Sequence, residues 1–286
     1  MDQEISIRKM TLSDLVEAMN LKDAEGWNQT GEDWKFLLSS NPDHCLVAVS
    51  GGKVKATVTG ITYEKHLAWI GMMLVNKSMR GKGIGKLLME NIIKELGFCT
   101  HIKLDATPVG LPLYLKLGFI SETTIYRMTR SLDKMGISDH PNPNIRRVQS
   151  IDLPKILEWD RRIYGVSRED LFGDLFKRSP QSCYLYEDSD SLQGFILGRP
   201  GTRYFQLGPL SAVSTQVAIQ LLERSLSHVK DSSVVIDVFG DQEELVSWLQ
   251  GQGFIIQREL IRMSYGQPSI SENMQKQFLI SGPELG

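Results

Sequence analysis

The chain has 286 residues, of which 41% are hydrophobic and 23% charged, and its formal net charge is −2. This length allows two domains of ordinary size, and the composition is typical of a globular protein. A charge so close to zero argues against a nucleic-acid-binding protein held by a broadly basic surface. No apolar run is long enough for a membrane-spanning helix, so we expect no membrane partner.

Cysteine and histidine usage limits the chemistry further. The three cysteines, Cys45, Cys99 and Cys183, are scattered and odd in number, which suits a reducing compartment better than a disulfide framework. The first ten residues contain no apolar signal core, and we therefore expect a cytoplasmic protein. Metal-ligand spacings and a G-x-S-x-G elbow are absent from the sequence, so we expect neither a metal site nor serine-hydrolase chemistry.

The first half of the chain predicts a mixed arrangement of strands and helices. In chain order the pattern predicts a strand at 5–9, a helix from Ser13, a short helix at about 31–38, the strands CLVAV, VKATVTGITY and LAWIGMMLV, a glycine-rich loop entering a helix, the strand HIKLDAT, the short helix LPLYLKL and the strand TTIYRMT. This order is a meander followed by a βαβ unit, which predicts an α/β (α+β) fold.

The glycine-rich stretch MRGKGIGKLLMENIIKEL starts at Met79 and places three glycines and several cations before an apolar-periodic helix. A helix N-terminus exposes backbone N–H groups and carries partial positive charge, so the pattern predicts a phosphate-binding loop. A flexible, solvated loop is the alternative. Two common phosphate motifs fail, because the nucleotide P-loop needs glycine where Arg80 stands and the dinucleotide fingerprint needs it where Lys86 stands.

Short stretches of the sequence recur at a nearly constant offset. IRKMTLSDL, which begins at Ile7, returns as IRRVQSIDL, which begins at Ile145. Later, Gly118-Phe119 is repeated as Gly253-Phe254. These echoes predict two copies of one fold, residues 1–130 and 145–286, joined by a polar, proline-containing linker at 131–144.

Five short segments carry a family resemblance. Arg80-x-x-Gly83-x-Gly85 resembles the [RQ]-x-x-G-x-[GA] pyrophosphate loop of the GNAT superfamily of acetyl-CoA-dependent N-acyltransferases. YLKLGF, which begins at Tyr114, resembles the Y-x-x-x-G-F segment after the fifth strand of that family. EGWNQT, FQLGPL and the final GPELG are similar to a bacterial subfamily with two domains. The resemblance implies two tandem GNAT-like domains, each a mixed twisted sheet flanked by helices.

This resemblance also implies roles for individual residues in the attack of an amine on acetyl-CoA. The pyrophosphate would be held by Arg80 and by backbone N–H groups of the loop, at Gly81, Lys82, Gly83, Ile84, Gly85 and Lys86. A backbone N–H of the fourth strand, at Leu74 or Val75, would polarise the thioester oxygen. Tyr114 would protonate the departing coenzyme A thiolate. The alternative for Tyr114 is a packing role on its helix.

Neither the general base nor the acceptor site is defined by a motif. The strand from Leu67 to Val75, where many relatives carry an acid, has none. The candidate bases are Asp33, Glu64, His66, Asp105 and Asp160, each of which could equally be structural or solvated. Trp27 and Asn28 could line the acceptor pocket, or they could be a core tryptophan beside a helix cap.

The second copy of the fold has lost the cofactor motif. Alignment of its leucine pair with that of the first copy puts Ser214, Val217 and Ile219 in place of Arg80, Gly83 and Gly85, and Leu249 in place of Tyr114. Side chains at the glycine positions obstruct close approach to the backbone, so we expect one cofactor per chain. We further expect the acceptor in a cleft between the domains, contacted by Asp160, although a purely structural second domain is the alternative.

The expected protein is therefore a tandem GNAT N-acetyltransferase that transfers acetyl from acetyl-CoA to a small-molecule amine in a ternary complex. It would act as a monomer or homodimer. Two other readings stay open. One is a non-catalytic acyl-CoA sensor, which the missing acid on the fourth strand favours; the other is a protein N-acetyltransferase.

Overall fold

The computed structural model describes residues 4–132, 142–229, 231–266 and 273–286, so most of the predicted linker at 131–144 lies outside the described residues. The first half contains β1 (Ser6–Lys9), α1 (Leu15–Ala24), α2 (Gly31–Ser40), β2 (Cys45–Ser50), β3 (Lys53–Tyr63), β4 (Leu67–Val75), α3 (Ile84–Glu95), β5 (His101–Ala106), α4 (Leu111–Lys116) and β6 (Ile120–Arg130). The predicted elements of this half are confirmed in type and order.

The second half repeats this order of elements. It contains β7 (Ile145–Arg147), α5 (Leu153–Tyr164), α6 (Glu169–Arg178), β8 (Tyr184–Asp188), β9 (Ser191–Pro200), β10 (Phe205–Ala212), α7 (Thr215–His228), β11 (Val234–Phe239), α8 (Glu243–Gly251), β12 (Ile255–Gly266) and one additional strand, β13 (Gln277–Leu279). The prediction of two copies of one α/β fold is confirmed.

The repeated sequence at the start of each half forms the same ion-paired helix cap. Arg8 donates to both carboxylate oxygens of Asp14 at 2.7 and 2.8 Å, and Arg146 does the same to Asp152 at 2.7 Å. Each aspartate also accepts from a backbone N–H three residues earlier, at 2.8 Å. This capping arrangement fixes the turn from the first strand into the first helix of each half.

The described strands form one mixed sheet in the order β1-β2-β3-β4-β5-β12-β6-β11-β13-β10-β9-β8-β7. The last long strand of each half has crossed to the other: β12 lies between β5 and β6, while β6 lies between β12 and β11. Sequence pattern predicted β6 as a strand but placed it in the sheet of its own half. Apolar alternation identifies a strand without identifying its neighbours, which explains the difference.

Apolar side chains join the two halves on one face of the sheet. One continuous core includes Trp34 and Trp69 from the first half, Tyr164 and Phe172 from the second, and Leu285 from the C-terminal tail. Helix α3 covers the opposite face of the first half, where Leu88 and Ile92 are fully buried. In the part of the chain that the structure describes, no helix is long and apolar enough to cross a membrane.

Each half has two parallel strands that separate along their length. In the first half, β4 pairs with β5 only over Leu67–Ile70 and His101–Leu104. In the second, β10 pairs with β11 only over Phe205–Leu207 and Val234–Ile236. Strand β13 then fills this second gap and pairs with both β10 and β11. The corresponding gap in the first half faces a groove.

Candidate active site

A groove of about 840 Å³ begins at the gap between β4 and β5 and extends over the N-terminus of α3. Its walls contain Leu74, Val75, Arg80, Gly81, Gly83, Ile84, Gly85, Lys86, Tyr114 and Trp27, together with Glu25, Met73, Met79, Thr107, Pro108, Val109, Gly110, Leu113, Lys116 and Arg258. The structure thus brings the sequence-predicted loop, strand and tyrosine to one surface. Lys82, which was predicted with the loop, is exposed and does not line the groove.

The glycines of the loop serve two different purposes. Gly81 and Gly83 have φ angles of 77° and 80°, and Gly83 caps the start of α3 in the left-handed conformation that side chains disfavour. Gly85 has no such angle; a methyl group there would lie 3.4 Å from Met73 Cε and 3.7 Å from Leu113 and Val75, all groove residues. Glycine at this position therefore keeps the groove open beside the exposed N–H groups of α3.

Arg80 is already held at the mouth of the groove. Its Nε donates to the carbonyl oxygen of Val75 at 3.2 Å, and its Nη2 donates to Glu25 at 2.5 Å. Lys77 lies 3.9 Å from the same glutamate. Glu25 was not predicted as a site residue, although it is the first residue of EGWNQT. It orients the guanidinium that the loop motif supplies.

Strand β4 bends where it leaves β5. Met72 has a φ angle of 47°, unusual for a non-glycine residue, and its carbonyl oxygen accepts a 2.8 Å hydrogen bond from the Thr57 hydroxyl. The β3–β4 register shifts at the same place. Such a bulge turns backbone groups out of the ladder and often adjoins a binding site. The Leu74 and Val75 amides, predicted to polarise the thioester, lie directly after it.

Tyr114 stands between the groove and a smaller inner cavity, and it lines both. Its side chain is buried, and this burial raises the pKa of the hydroxyl to about 12. Among the described residues the hydroxyl has no hydrogen-bond partner. The hydroxyl group is therefore neutral across the ordinary pH range and available to donate a proton.

The inner cavity, about 60 Å³ in volume, lies between the two halves of the chain. It is lined by Trp27, Gln29, Ile70, Gly71, Met72, Met73, Leu104, Asp105, Thr107, Tyr114, Arg127, Arg258, Leu260, Pro283 and Glu284. The exchanged strand β12 and the C-terminal tail therefore contribute to a cavity that adjoins the first-half groove.

The C-terminal tail is fixed against β4. A methyl group on Gly71 would lie 2.7 Å from Glu284 Cα, so only glycine allows the tail to pack this closely. Trp69 donates to the carbonyl oxygen of Pro283 at 3.0 Å, and the Tyr63 hydroxyl donates to that of Leu285 at 2.7 Å. These contacts hold the Glu284 side chain in the inner cavity.

Glu284 is the acid that motif reasoning missed. It is 2% exposed, and it accepts from Arg199 Nη2 at 2.5 Å and from Gln29 Nε2 at 2.7 Å. Burial raises the pKa of its carboxyl group, although the positive charge of Arg199 opposes the shift. The terminal GPELG matched the subfamily pattern and was the sequence feature that could have indicated a role for Glu284. Nothing in it indicated that the tail returns to the first half.

Ion pairs occupy most of the other charged groups here. Asp105 accepts from Arg262 at 3.0 and 3.1 Å, and burial raises the pKa of its carboxyl group. Arg127 donates to Asp237 at 2.7 and 2.8 Å. Arg258 differs, because its guanidinium forms no ion pair with any described residue. No sequence motif indicated Arg258, since this residue enters the site only through the strand exchange.

The remaining candidate bases lie away from this cavity. Asp33 is buried and accepts from Arg178 at 2.8 Å and from Arg199 at 3.1 Å, which holds its pKa low despite desolvation. Glu64 and His66 are exposed in the turn between β3 and β4. In the described residues, none of these three side chains lines the groove or the inner cavity.

Two of the predicted acceptor residues have structural partners instead. Asp160 is 1% exposed and accepts from Arg168 at 2.7 and 3.0 Å; Arg168 also donates to the carbonyl oxygen of Gly286. The carboxylate of Asp160 is held in this buried ion pair and does not line the inner cavity, so nothing in the described site supports its predicted contact with the acceptor, which stays a prediction. Asn28 joins the halves by binding the backbone of Arg203 and Tyr204 and does not line the cavity, whereas Trp27 does.

Comparisons with known proteins agree with this geometry. Residues 11–119 match the model of the acetyltransferase (GNAT) family, and residues 156–279 match that of an acetyltransferase (GNAT) domain. An uncharacterized N-acetyltransferase of Bacillus subtilis, YitH, is 25% identical over 80% of each chain. The holothin acyltransferase of a Pseudoalteromonas species is 23% identical over 92% of this chain and 88% of its own.

Similarity to solved structures extends over the whole fold. The crystal structure of a proposed acetyltransferase from Pyrococcus horikoshii superimposes with a TM-score of 0.84 and 22% sequence identity, covering 100% of this chain and 97% of that one. The two family matches fall on the two halves of the repeat and leave residues 1–10, 120–155 and 280–286 unmatched. This chain accordingly belongs to the GNAT acetyltransferase family and is an N-acetyltransferase with two GNAT domains in tandem.

Proposed function

We propose that this enzyme transfers an acetyl group from acetyl-CoA to a small-molecule amine by direct attack within a ternary complex. The observation that supports this proposal is the meeting of two spaces at Tyr114. The outer groove has the phosphate-type loop at one end, and the inner cavity is small, partly polar and placed beside the bulge of β4. Donor and acceptor would approach the same point from opposite sides.

Acetyl-CoA fits the residues of the groove. The left-handed glycines, the free N–H groups at the start of α3 and the guanidinium of Arg80 form a cradle for a pyrophosphate. When bound, acetyl-CoA would supply the thioester that is cleaved. The filled gap between β10 and β11 supports a stoichiometry of one cofactor per chain.

Different residues of the chain would then act in the separate steps of acetyl transfer. A backbone N–H at Leu74 or Val75 would stabilise negative charge on the thioester oxygen as the amine nitrogen forms its bond to carbon. Tyr114 would give its proton to the sulfur as the carbon–sulfur bond breaks, and the proton that the amine nitrogen loses would restore the tyrosine hydroxyl. The inner cavity would hold the amine in line and exclude water.

A small-molecule acceptor is favoured over a protein by the size and enclosure of the inner cavity. One relative is also named for acyl transfer to holothin, which favours the same class. We further propose that the protein acts in the cytoplasm as a monomer or homodimer, without nucleic acid.

The test combines cofactor binding with turnover. Calorimetry should give one coenzyme A per chain, and a panel of amines should reveal acceptor-dependent release of free thiol from acetyl-CoA. Gly85→Val should weaken coenzyme A binding by more than about tenfold, equivalent to about 1.4 kcal/mol. Gly173→Val is the matched control, because a Cβ added at this position of α6 would have no described atom within 4 Å.

Two results would contradict the proposal. Unchanged coenzyme A affinity in Gly85→Val would remove the loop from the cofactor site. Tight coenzyme A binding without thiol release for any amine would instead support the acyl-CoA sensor.

A further inference from the structure

One residue in the wall of the inner cavity, Gln29, has a buried hydrogen-bond acceptor to which no described residue donates. Gln29 is 4% exposed and lines the cavity, and its Oε1 has no hydrogen-bond partner among the residues that the structure describes. A buried polar atom without a partner is costly, so such atoms often mark a place that a ligand or water fills.

The neighbouring carboxylate fixes the direction of this amide. Gln29 Nε2 donates to Glu284 Oε2 at 2.7 Å. Because a carboxylate only accepts hydrogen bonds, the amide nitrogen must face Glu284, and the oxygen is left for another donor. A primary amine or ammonium group offers such donors, and the negative charge of Glu284 beside it favours the ammonium form.

Another wall of the inner cavity contains Arg258, whose positive charge favours a negatively charged group of the ligand. Arg127 has a carboxylate partner in Asp237, but Arg258 has none in the described part of the chain. Burial and the positive charge of Arg127 lower the pKa of Arg258. The negative charges of Asp237 and Glu25, neither of which is ion-paired with Arg258, oppose the shift. A partly buried, unpaired guanidinium is best satisfied by an anion, and a carboxylate matches its planar donors.

We propose that the acceptor is a small amine that also carries a carboxylate, with its nitrogen held by Gln29 Oε1 and Glu284 and its carboxylate by Arg258. This inference rests on the proposed function, since it names the acceptor class for the same transfer. Arg258 lines the outer groove as well as the inner cavity, but the cradle proposed for the cofactor phosphates lies at the start of α3 and does not require Arg258. Both domains supply the site: Gln29 comes from the first, Arg258 and Glu284 from the second.

Matched amine pairs provide the test. Glycine, β-alanine and 4-aminobutyrate are compared with glycinamide, β-alaninamide and 4-aminobutyramide, by calorimetry on the coenzyme A complex and by thiol release from acetyl-CoA. For at least one pair the carboxylate should bind at least tenfold more tightly than the amide, the effect of one hydrogen-bonded charge pair. Arg258→Gln should reduce that preference to within about twofold while leaving coenzyme A affinity nearly unchanged.

Two further variants separate recognition from folding. Gln29→Leu should raise the KM of both members of a pair by a similar factor, because it removes the contact to nitrogen and the hydrogen bond to Glu284, which the two members share. Lys177→Gln makes the same charge change as Arg258→Gln on the exposed side of α6 and should change nothing. Coenzyme A binding by each variant reports that it is folded, and Arg258→Lys should retain part of the preference.

The inference is overturned if carboxylates and amides bind equally, if none of these amines binds, or if Arg258→Gln weakens coenzyme A binding and leaves the preference intact. These results can be distinguished from the results expected if the proposed function is wrong. Carboxylate-selective binding without thiol release would disprove catalysis and keep the binding site, whereas transfer to amines regardless of Arg258 would keep catalysis and disprove the site.

Discussion

At the scale of single residues, the Tyr114 hydroxyl is the group on which turnover should depend most. Tyr114→Phe should lower turnover by about 10²–10⁴-fold, because the leaving thiolate would lose its proton donor. Coenzyme A affinity should stay within a few-fold, since the ring that lines the groove remains. Steady-state thiol release and calorimetry measure the two effects separately.

A second tyrosine supplies the control for this substitution. Tyr265 packs on Phe119 with ring centroids 5.3 Å apart, much as Tyr114 does at 6.0 Å, but it lines neither the groove nor the inner cavity. Tyr265→Phe should leave turnover unchanged. Wild-type turnover in Tyr114→Phe at saturating substrates would show that the hydroxyl takes no part.

The pH dependence of turnover follows from the same group. Burial raises the pKa of Tyr114 to about 12, so the proton needed for catalysis is retained until the pH approaches that value. We therefore expect that ionisation of Tyr114 causes no decrease in kcat between about pH 7 and 10. The pH profile of Tyr114→Phe should have the same shape in this range. A falling limb in this range that disappears in the variant would mean that the hydroxyl titrates normally.

The site residues whose positions are set by a short local motif could be predicted from the sequence. The loop from Arg80 to Lys86 and Tyr114 lie within short motifs, and their spacing sets their positions on one helix or turn. Arg258 and Glu284 could not be predicted in this way. Their places depend on a strand exchange and on the path of the tail, and neither leaves a local pattern.

At the scale of elements, the repeated helix cap with its Arg–Asp ion pair should stabilise both halves. Asp14→Ala and Asp152→Ala should each lower the free energy of unfolding by about 1–2 kcal/mol, because each removes a helix-start cap and an arginine partner. Asp43→Ala is the control. Asp43 also has a close partner, Lys9, but both side chains are mostly exposed, so no measurable change is expected. Chemical denaturation gives these differences.

This stabilisation should be lost in acid. Hydrogen bonding from Arg8 lowers the pKa of Asp14 from 3.8 to about 2, so the folded protein favours the carboxylate. Its contribution is complete above about pH 4 and disappears as the pH falls toward 2. The stability difference between wild type and Asp14→Ala should narrow over that interval. A difference that is constant from pH 5 to 2 would contradict the ion-pair account.

Element order was more predictable than element pairing. Periodicity and turn residues identified the strands and helices of the first half, and the repeat carried that order into the second. Strand β13 was not predicted, because three residues carry too little pattern, yet it fills the gap in the second half. The expected loss of the second cofactor site was argued from Val217 and Ile219. The structure adds a filled gap at the corresponding place.

At the scale of the whole molecule, the two halves are one folding unit. Strand β6 pairs with β11 and β12, both from the second half, and β5 has β12 as its neighbour on that side. The core on one face is continuous from Trp34 to Phe172. Separation of the halves would expose two sheet edges and this apolar surface at once.

A fragment ending at Ser131 should therefore fail to fold alone. We expect it to aggregate or to lack a cooperative unfolding transition, and to bind no coenzyme A, although it contains every residue of the phosphate loop. Co-expression of residues 1–131 with 132–286 should restore a soluble complex that binds coenzyme A, because each fragment supplies the strand that the other lacks. Size-exclusion chromatography, thermal unfolding and calorimetry on both preparations test this. A monomeric, folded 1–131 fragment with full coenzyme A affinity would show that β6 can return to β5, and that the exchange is not needed to form the cofactor groove.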